Sequence, residues 1–211
     1  MTRRLLLLYL GLALYGISDA LLVRADLGVD PWDVLHQGLS LHTGLSFGTI
    51  IILVGALVLL LWIPIRQKPG LGTVSNVILI GLAADATLAV IPPLRALLPR
   101  SALLIFAIAL NGLASGMYIG AGFGPGPRDG LMTGFSGRYG LSIRRVRTTI
   151  EITVLIVGWL LGGSVNIGTL LYALSIGPII QVILPMFQGA RKPPPPLSPA
   201  PLSILPVEEA N

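Results

Sequence analysis

The stretch LGVDPWDVLHQGLSLHTGLS, Leu27–Ser46, is written a second time as FGPGPRDGLMTGFSGRYGLS, Phe123–Ser142, ninety-six positions later and without a gap. Nine of the twenty places are identical: Gly28/Gly124, Pro31/Pro127, Asp33/Asp129, Leu35/Leu131, Gly38/Gly134, Ser40/Ser136, Gly44/Gly140, Leu45/Leu141 and Ser46/Ser142. The same offset continues outward, pairing Gly16 with Gly112, Gly72-Thr73 with Gly168-Thr169, and Ile80-Gly81 with Ile176-Gly177. The chain is therefore a tandem of two like units, 1–96 and 97–187, followed by a tail, 188–211.

Composition says what the units are made of. Of the 211 residues 54% are hydrophobic and 11% charged, with a mean hydropathy of +0.85, whereas soluble domains carry about 25% charged residues. That balance marks a membrane protein. Six apolar runs of spanning length fall near Leu5–Val23, Gly48–Ile65, Thr73–Ile91, Leu103–Phe123, Thr148–Val165 and Ile167–Phe187, against the roughly 17–25 residues that cross a bilayer. The first run follows Arg3-Arg4 and ends near Ser18-Asp19-Ala20, as a cleaved export signal also would. Its counterpart Leu103–Phe123 lies mid-chain and completes the second unit, which favours a retained span.

The fold class expected is all-α and polytopic, with six transmembrane helices in two three-helix repeats and a short half-helix after the first span of each. Three spans per unit is an odd number, so the second unit is expected upside down relative to the first. Lysine and arginine gather on the cytoplasmic side of membrane proteins. With the N-terminus inside, eleven of the fourteen fall inside (Arg3, Arg4, Arg66, Lys68, Arg128, Arg138, Arg144, Arg145, Arg147, Arg191 and Lys192) and three outside (Arg24, Arg95 and Arg100). Both termini are expected in the cytoplasm.

Between the first and second spans of each unit the motif carries helix punctuation. Asp30 suits an N-cap, Pro31 the first helical position and Asp33 the acidic third position of a capping box. Gly44 then supplies a left-handed stop and Ser46 opens the next span. In the copy Gly126 stands where Asp30 was, while Pro127, Asp129 and Gly140 keep their places. About twelve residues at 1.5 Å each make roughly 18 Å, too short to cross, so each segment is re-entrant or interfacial. Gly38, Ser40, Gly134 and Ser136 are expected where backbones pack closely, and Gly28, Pro31, Gly124 and Pro127 complete the structural motif. Inserted half-helices would aim positive N-termini inward. Asp33 and Asp129 offset that dipole and turn the preference toward a cation or an uncharged solute.

The site candidates are the polar residues inside the spans, because a charge there is costly and usually faces a cavity or a partner. Asp85 in the third span has no local partner in sequence and is the leading candidate for a protonatable or cation-binding group. Asp19 lies in the outer third of the first span, with Arg24 as a possible partner, and Asn76 and Asn111 add neutral polar groups. Glu151 sits one turn from Arg147, an ordinary i, i+4 pair. The substrate or ion-binding candidates are thus Asp85, Asp33, Asp129, Asp19, Asn76 and Asn111.

Other chemistry is sparse. Cysteine is absent, His36 and His42 are six apart, and no H-E-x-x-H, Walker, nucleophile-elbow or dinucleotide pattern occurs. No catalytic residue, resident metal or cofactor is expected, and the protein is not expected to be an enzyme. The net charge of +5 lies between apolar runs rather than on one face, which argues against nucleic acid as a partner. The tail is proline-rich and expected to be a disordered cytoplasmic extension.

The paired signature G-x-x-P-x-D-x-L-x-x-G-x-S-x-x-x-G-L-S, the cluster LSIRRVRTTIE and the run GGSVNIGTLLYALSIGP together resemble the YczE/YyaS family of small bacterial integral membrane proteins, related in plan to the YitT group. The resemblance covers residues 5–187. It implies a multi-pass protein of the bacterial plasma (inner) membrane and brings no substrate or mechanism. The expected function is a small-solute transporter, or a component of one, with alternating access between inverted repeats; a non-transporting module that regulates or assembles with a partner complex is the alternative. Expected partners are the lipid bilayer, a small solute or ion, and a second copy or another membrane protein.

Overall fold

The computed structural model describes residues 1–188 and is all-helical over them. The proline-rich tail, Gln188 aside, lies outside the described residues. Eight helices follow in order: α1 Thr2–Ala25, α2 Pro31–Thr43, α3 Phe47–Ile65, α4 Leu71–Val90, α5 Leu97–Ala121, α6 Pro127–Tyr139, α7 Ile143–Leu160 and α8 Ile167–Phe187. Five of them, α1, α3, α4, α5 and α8, are long and apolar enough to cross a membrane. The sixth apolar run differs from expectation. Its helix, α7, begins five residues earlier, at Ile143, and ends at Leu160; it so adds Arg144, Arg145 and Arg147 to Glu151, and their charge lowers its mean hydropathy below that of a spanning segment.

The two short helices form as their sequences dictate. Asp30 caps α2, its carboxylate accepting from Asp33 N–H at 2.9 Å, with Pro31 at the first turn. Gly44 and Gly140 end α2 and α6 in the left-handed region, at φ of 70° and 65°. The serines of the motif close the same ends. Ser40 donates its hydroxyl to the Leu45 carbonyl at 2.7 Å, and Ser136 to that of Leu141 at 2.6 Å. Each ties the residue just past the glycine stop back to the last turn of its helix.

At the centre α1 and α5 cross in close contact, with α4 against α1 and α8 against α5. The approach is backbone to backbone: a Cβ at Gly11 would sit 2.8 Å from Tyr118 N, and one at Gly16 would collide with the Ile80 carbonyl of α4. Two further contacts are exchanged between the halves of the chain. Helix α2 packs on α7, and α6 on α3. Gly168 N–H donates to the Leu27 carbonyl at 2.7 Å, and Gly72 N–H to the Phe123 carbonyl at 2.9 Å; these two bonds map onto one another under the ninety-six-residue offset. The loops that accept them turn at Gly28 and Gly124, with φ of 102° and 116°. A side chain at either place would also strike the hydroxyl of Thr169 or Thr73.

The largest break in the correspondence lies between α3 and α4. Helix α3 lies along α4, with Gly48 against the Gly81 carbonyl, whereas α7 and α8 make no comparable contact. Gly177, the counterpart of Gly81, has no described residue against it.

Candidate functional site: a buried acidic cluster between two half-helices

The N-terminal ends of α2 and α6 meet against the crossing of α1 and α5. Asp30 and Asp33 of α2 lie beside Asp19 of α1, and one carboxylate oxygen from each of the three falls within 4.8 Å of the others. Since Asp19 is six residues short of the end of α1, the start of α2 is set about 9 Å into the helical layer at 1.5 Å per residue. All three are buried, at 0%, 3% and 0% exposure for Asp19, Asp30 and Asp33.

Among the described residues Arg128, at the start of α6, is the cation that reaches this cluster. Its guanidinium approaches Asp30 at 3.4 Å and Asp33 at 3.7 Å, and lies over the Trp32 ring at 5.1 Å from the centroid. Trp32 and Arg128 are counterparts under the offset, so the same position in each half supplies one member of a cation–π pair. Around them sits a shell of neutral donors. Asn111 donates its amide to Asp19 at 3.0 Å and to Ser18 at 2.9 Å, and accepts from the Tyr172 hydroxyl at 2.9 Å. His36 Nδ1 contacts Asp33 Oδ1 at 2.9 Å. Tyr118 donates to Asp129 at 2.9 Å.

Two cavities adjoin the cluster. The larger, about 190 Å³, lies between α7 and α8 and is lined by Asp30, Arg128, Arg147, Glu151, Tyr172 and Ile180. The smaller, about 70 Å³, lies toward α3 and α4 and is lined by Trp32, His36, Val54, Asn76, Val77 and Asp129.

Of the sequence candidates, Asp19, Asp33, Asp129, Asn76 and Asn111 come together here. Asp85 does not. Its carboxylate accepts from Ser46 Oγ at 2.5 Å and from Gly48 N–H at 2.7 Å, which makes it a partner of the α3 N-terminus supplied from α4. The partner that local sequence lacked is thirty-nine residues away. Nor does Arg24 reach Asp19, because residues five apart are turned about 140° from each other on a helix; Arg24 donates to the Leu88 carbonyl. The Arg147–Glu151 pair forms as expected, at 2.8 Å. Asp33 keeps its helical place while turning its carboxylate to His36 and Arg128.

Sequence reasoning missed Arg128, His36, Tyr118 and Tyr172, and counted Asp30 as a cap alone. A signal was available for Arg128. It is a charged residue one place after Pro127, in the register position that Trp32 holds in the first copy.

The comparisons agree with this picture of a membrane protein. The family model described as "Family of unknown function (DUF6198)" matches residues 2–185. An uncharacterized protein of Haemophilus influenzae is 40% identical over 84% of this chain and 82% of its own length. The Bacillus subtilis protein named "Uncharacterized membrane protein YczE" is 34% identical over 81% and 80%, and YyaS of the same organism is 26% identical over 85% and 91%. No solved structure matches. With an apolar helical bundle, the doubled half-helix motif and relatives along most of its length, the chain belongs to the DUF6198 family of membrane proteins that includes YczE and YyaS.

Proposed function

We propose that the protein is a small-solute or ion transporter of the bacterial plasma membrane, built from two inverted three-helix units, 1–96 and 97–187, that give access to one central site from alternate sides. In this reading α7 is the sixth span, with Arg144, Arg145 and Arg147 at its cytoplasmic end, and both termini are cytoplasmic. Inverted units with helix ends pointing at a mid-membrane site are a recurring transporter plan.

One observation carries the proposal: packing exchanged between the halves brings both half-helix N-termini to one polar cluster, while the correspondence fails most plainly at the α3–α4 contact, which α7 and α8 do not reproduce. Two units with the same sequence plan in different arrangements are what alternating access requires of any one state. The α3–α4 contact, latched by Asp85 on Ser46 and Gly48, is then the closed outer gate, and the cavity beside Arg147 and Glu151 is the open inner vestibule. The counterparts of Ser46 and Asp85 are Ser142 and Gln181. They would meet when the inner side closes.

The direct test uses the natural absence of cysteine. A cysteine at Ile180, in the α7–α8 vestibule, should react with an impermeant thiol reagent from the cytoplasmic side, and one at Val77, behind the α3–α4 contact, should react from the outside only when the state changes. Constant one-sided reactivity under every ionic condition, together with copurification of a fixed partner, would instead favour a non-transporting regulatory or assembly module.

A further inference from the structure

We propose that Asp19, Asp30 and Asp33 form a binding site for a divalent metal cation in an all-oxygen shell. The site uses the central cluster of the transport reading but requires no transport. Its first support is spacing. Oxygens from the three carboxylates lie within 4.8 Å of one another, and ligands on opposite sides of a hard cation with metal–oxygen distances of 2.0–2.6 Å are about 4–5 Å apart.

Its second support is unspent bonding capacity. Asp19 Oδ2 and Asp33 Oδ2 are fully buried and, among the described residues, have no hydrogen-bond partner. The other oxygens are engaged: Asp19 Oδ1 by Asn111, Asp33 Oδ1 by His36 and Arg128, and Asp30 by Asp33 N–H and Arg128. An orphaned buried carboxylate oxygen calls for a partner.

Charge supplies the third. Arg128 offsets one of the three carboxylates, and the remaining two match one divalent ion. The cation cannot be zinc held by sulfur or nitrogen, since the chain has no cysteine and its two histidines are not both at the cluster. Asn111 on Asp19 and His36 on Asp33 occupy the place of outer partners that orient ligating carboxylates. The sequence marks Asp19 and Asp33 singly as ion-binding candidates, but it does not show that they meet with Asp30, because Asp19 comes from α1 and the others from beyond a loop.

The test is made on the purified full-length protein in detergent. Tb³⁺, a calcium-sized probe, should show luminescence on tryptophan excitation through Trp32, and Ca²⁺ or Mn²⁺ should displace it at saturation. Trp32→Phe should remove most of the signal while thermal stabilisation by Ca²⁺ or Mn²⁺ persists. Asp19→Asn and Asp33→Asn should each weaken that stabilisation at least tenfold in cation concentration, and Asp26→Asn, at the exposed end of α1, should leave it unchanged. No saturable response to Ca²⁺, Mn²⁺ or Mg²⁺ in the unaltered protein, stabilisation by Na⁺ alone, or equal responses in Asp19→Asn and Asp26→Asn would overturn the proposal. A protein that binds the cation and moves nothing across a vesicle membrane would defeat the transport reading alone. Solute movement without any divalent binding would defeat the site alone.

Discussion

Replacing Asp85 with alanine isolates the proposed outer gate. The carboxylate accepts two hydrogen bonds from the first turn of α3, at 2.5 Å from Ser46 Oγ and 2.7 Å from Gly48 N–H, and its charge faces the positive end of that helix. Hydrogen bonds to charged groups contribute about 1.5–3 kcal/mol each when buried, and exposure of Ser46 to solvent cuts the pair to a net of about 2 kcal/mol. If α3 leaves α4 when the outer side opens, that energy is present only in the closed state. At about 1.4 kcal/mol per tenfold, Asp85→Ala should raise the open fraction roughly twenty- to thirtyfold. The assay is the rate at which an impermeant thiol reagent, added outside, modifies a cysteine at Val77, which is buried at 7% exposure. Asp85→Asn, which keeps an acceptor and loses the charge, should give a rise of about fivefold, corresponding to about 1 kcal/mol. An unchanged rate in Asp85→Ala, with the protein folded and inserted, refutes the gate. So does a rise confined to the cytoplasmic side.

Further outcomes follow from the same contacts. Gly38→Ala should destabilise the protein by about 2–3 kcal/mol in thermal unfolding, because the new Cβ meets the Gly158 carbonyl and Leu161 Cβ at 2.7 and 2.6 Å, whereas Gly134→Ala meets only the flexible end of Ile65 and should cost about 1 kcal/mol or less. Arg128→Gln should lower stability by about 3 kcal/mol, since it leaves buried carboxylates unpaired; Arg128→Lys should recover part of it, a compact ammonium being unable to span Asp30, Asp33 and the Trp32 face together. Cysteines at His42 and Arg138 should be modified from opposite sides of the membrane, and modification of both from one side would remove the inverted arrangement.

The doubled motif was legible because its punctuation is local. Proline at a first turn, an acid in the next position but one and glycine at the stop act within one helix, so α2 and α6 end where Gly44 and Gly140 stand. Spans α1, α3, α4, α5 and α8 were legible for a similar reason, length and hydropathy being sums over neighbours. Helix α7 was harder. Its first two turns carry the arginine cluster, and a hydropathy window cannot tell charged residues in a vestibule from those in a loop. Asp85 looked partnerless because its partners lie across the α3–α4 interface, and Arg128 looked like a topology charge because inward charges and cytoplasmic charges have the same sequence. What gathers at the cluster depends on the crossing of α1 and α5, which no local pattern encodes.

The central claim is that the open α7–α8 side and the closed α3–α4 side exchange. It is tested most directly by a cysteine pair at Ser142 and Gln181, the counterparts of Ser46 and Asp85, oxidised in membranes while outside reactivity of a third cysteine at Val77 is followed. The account predicts that the disulfide forms, although α7 and α8 stand apart in the present state, and that its formation raises outside access to Val77 at least tenfold. A pair that never closes, or that closes with Val77 still shielded, would contradict it.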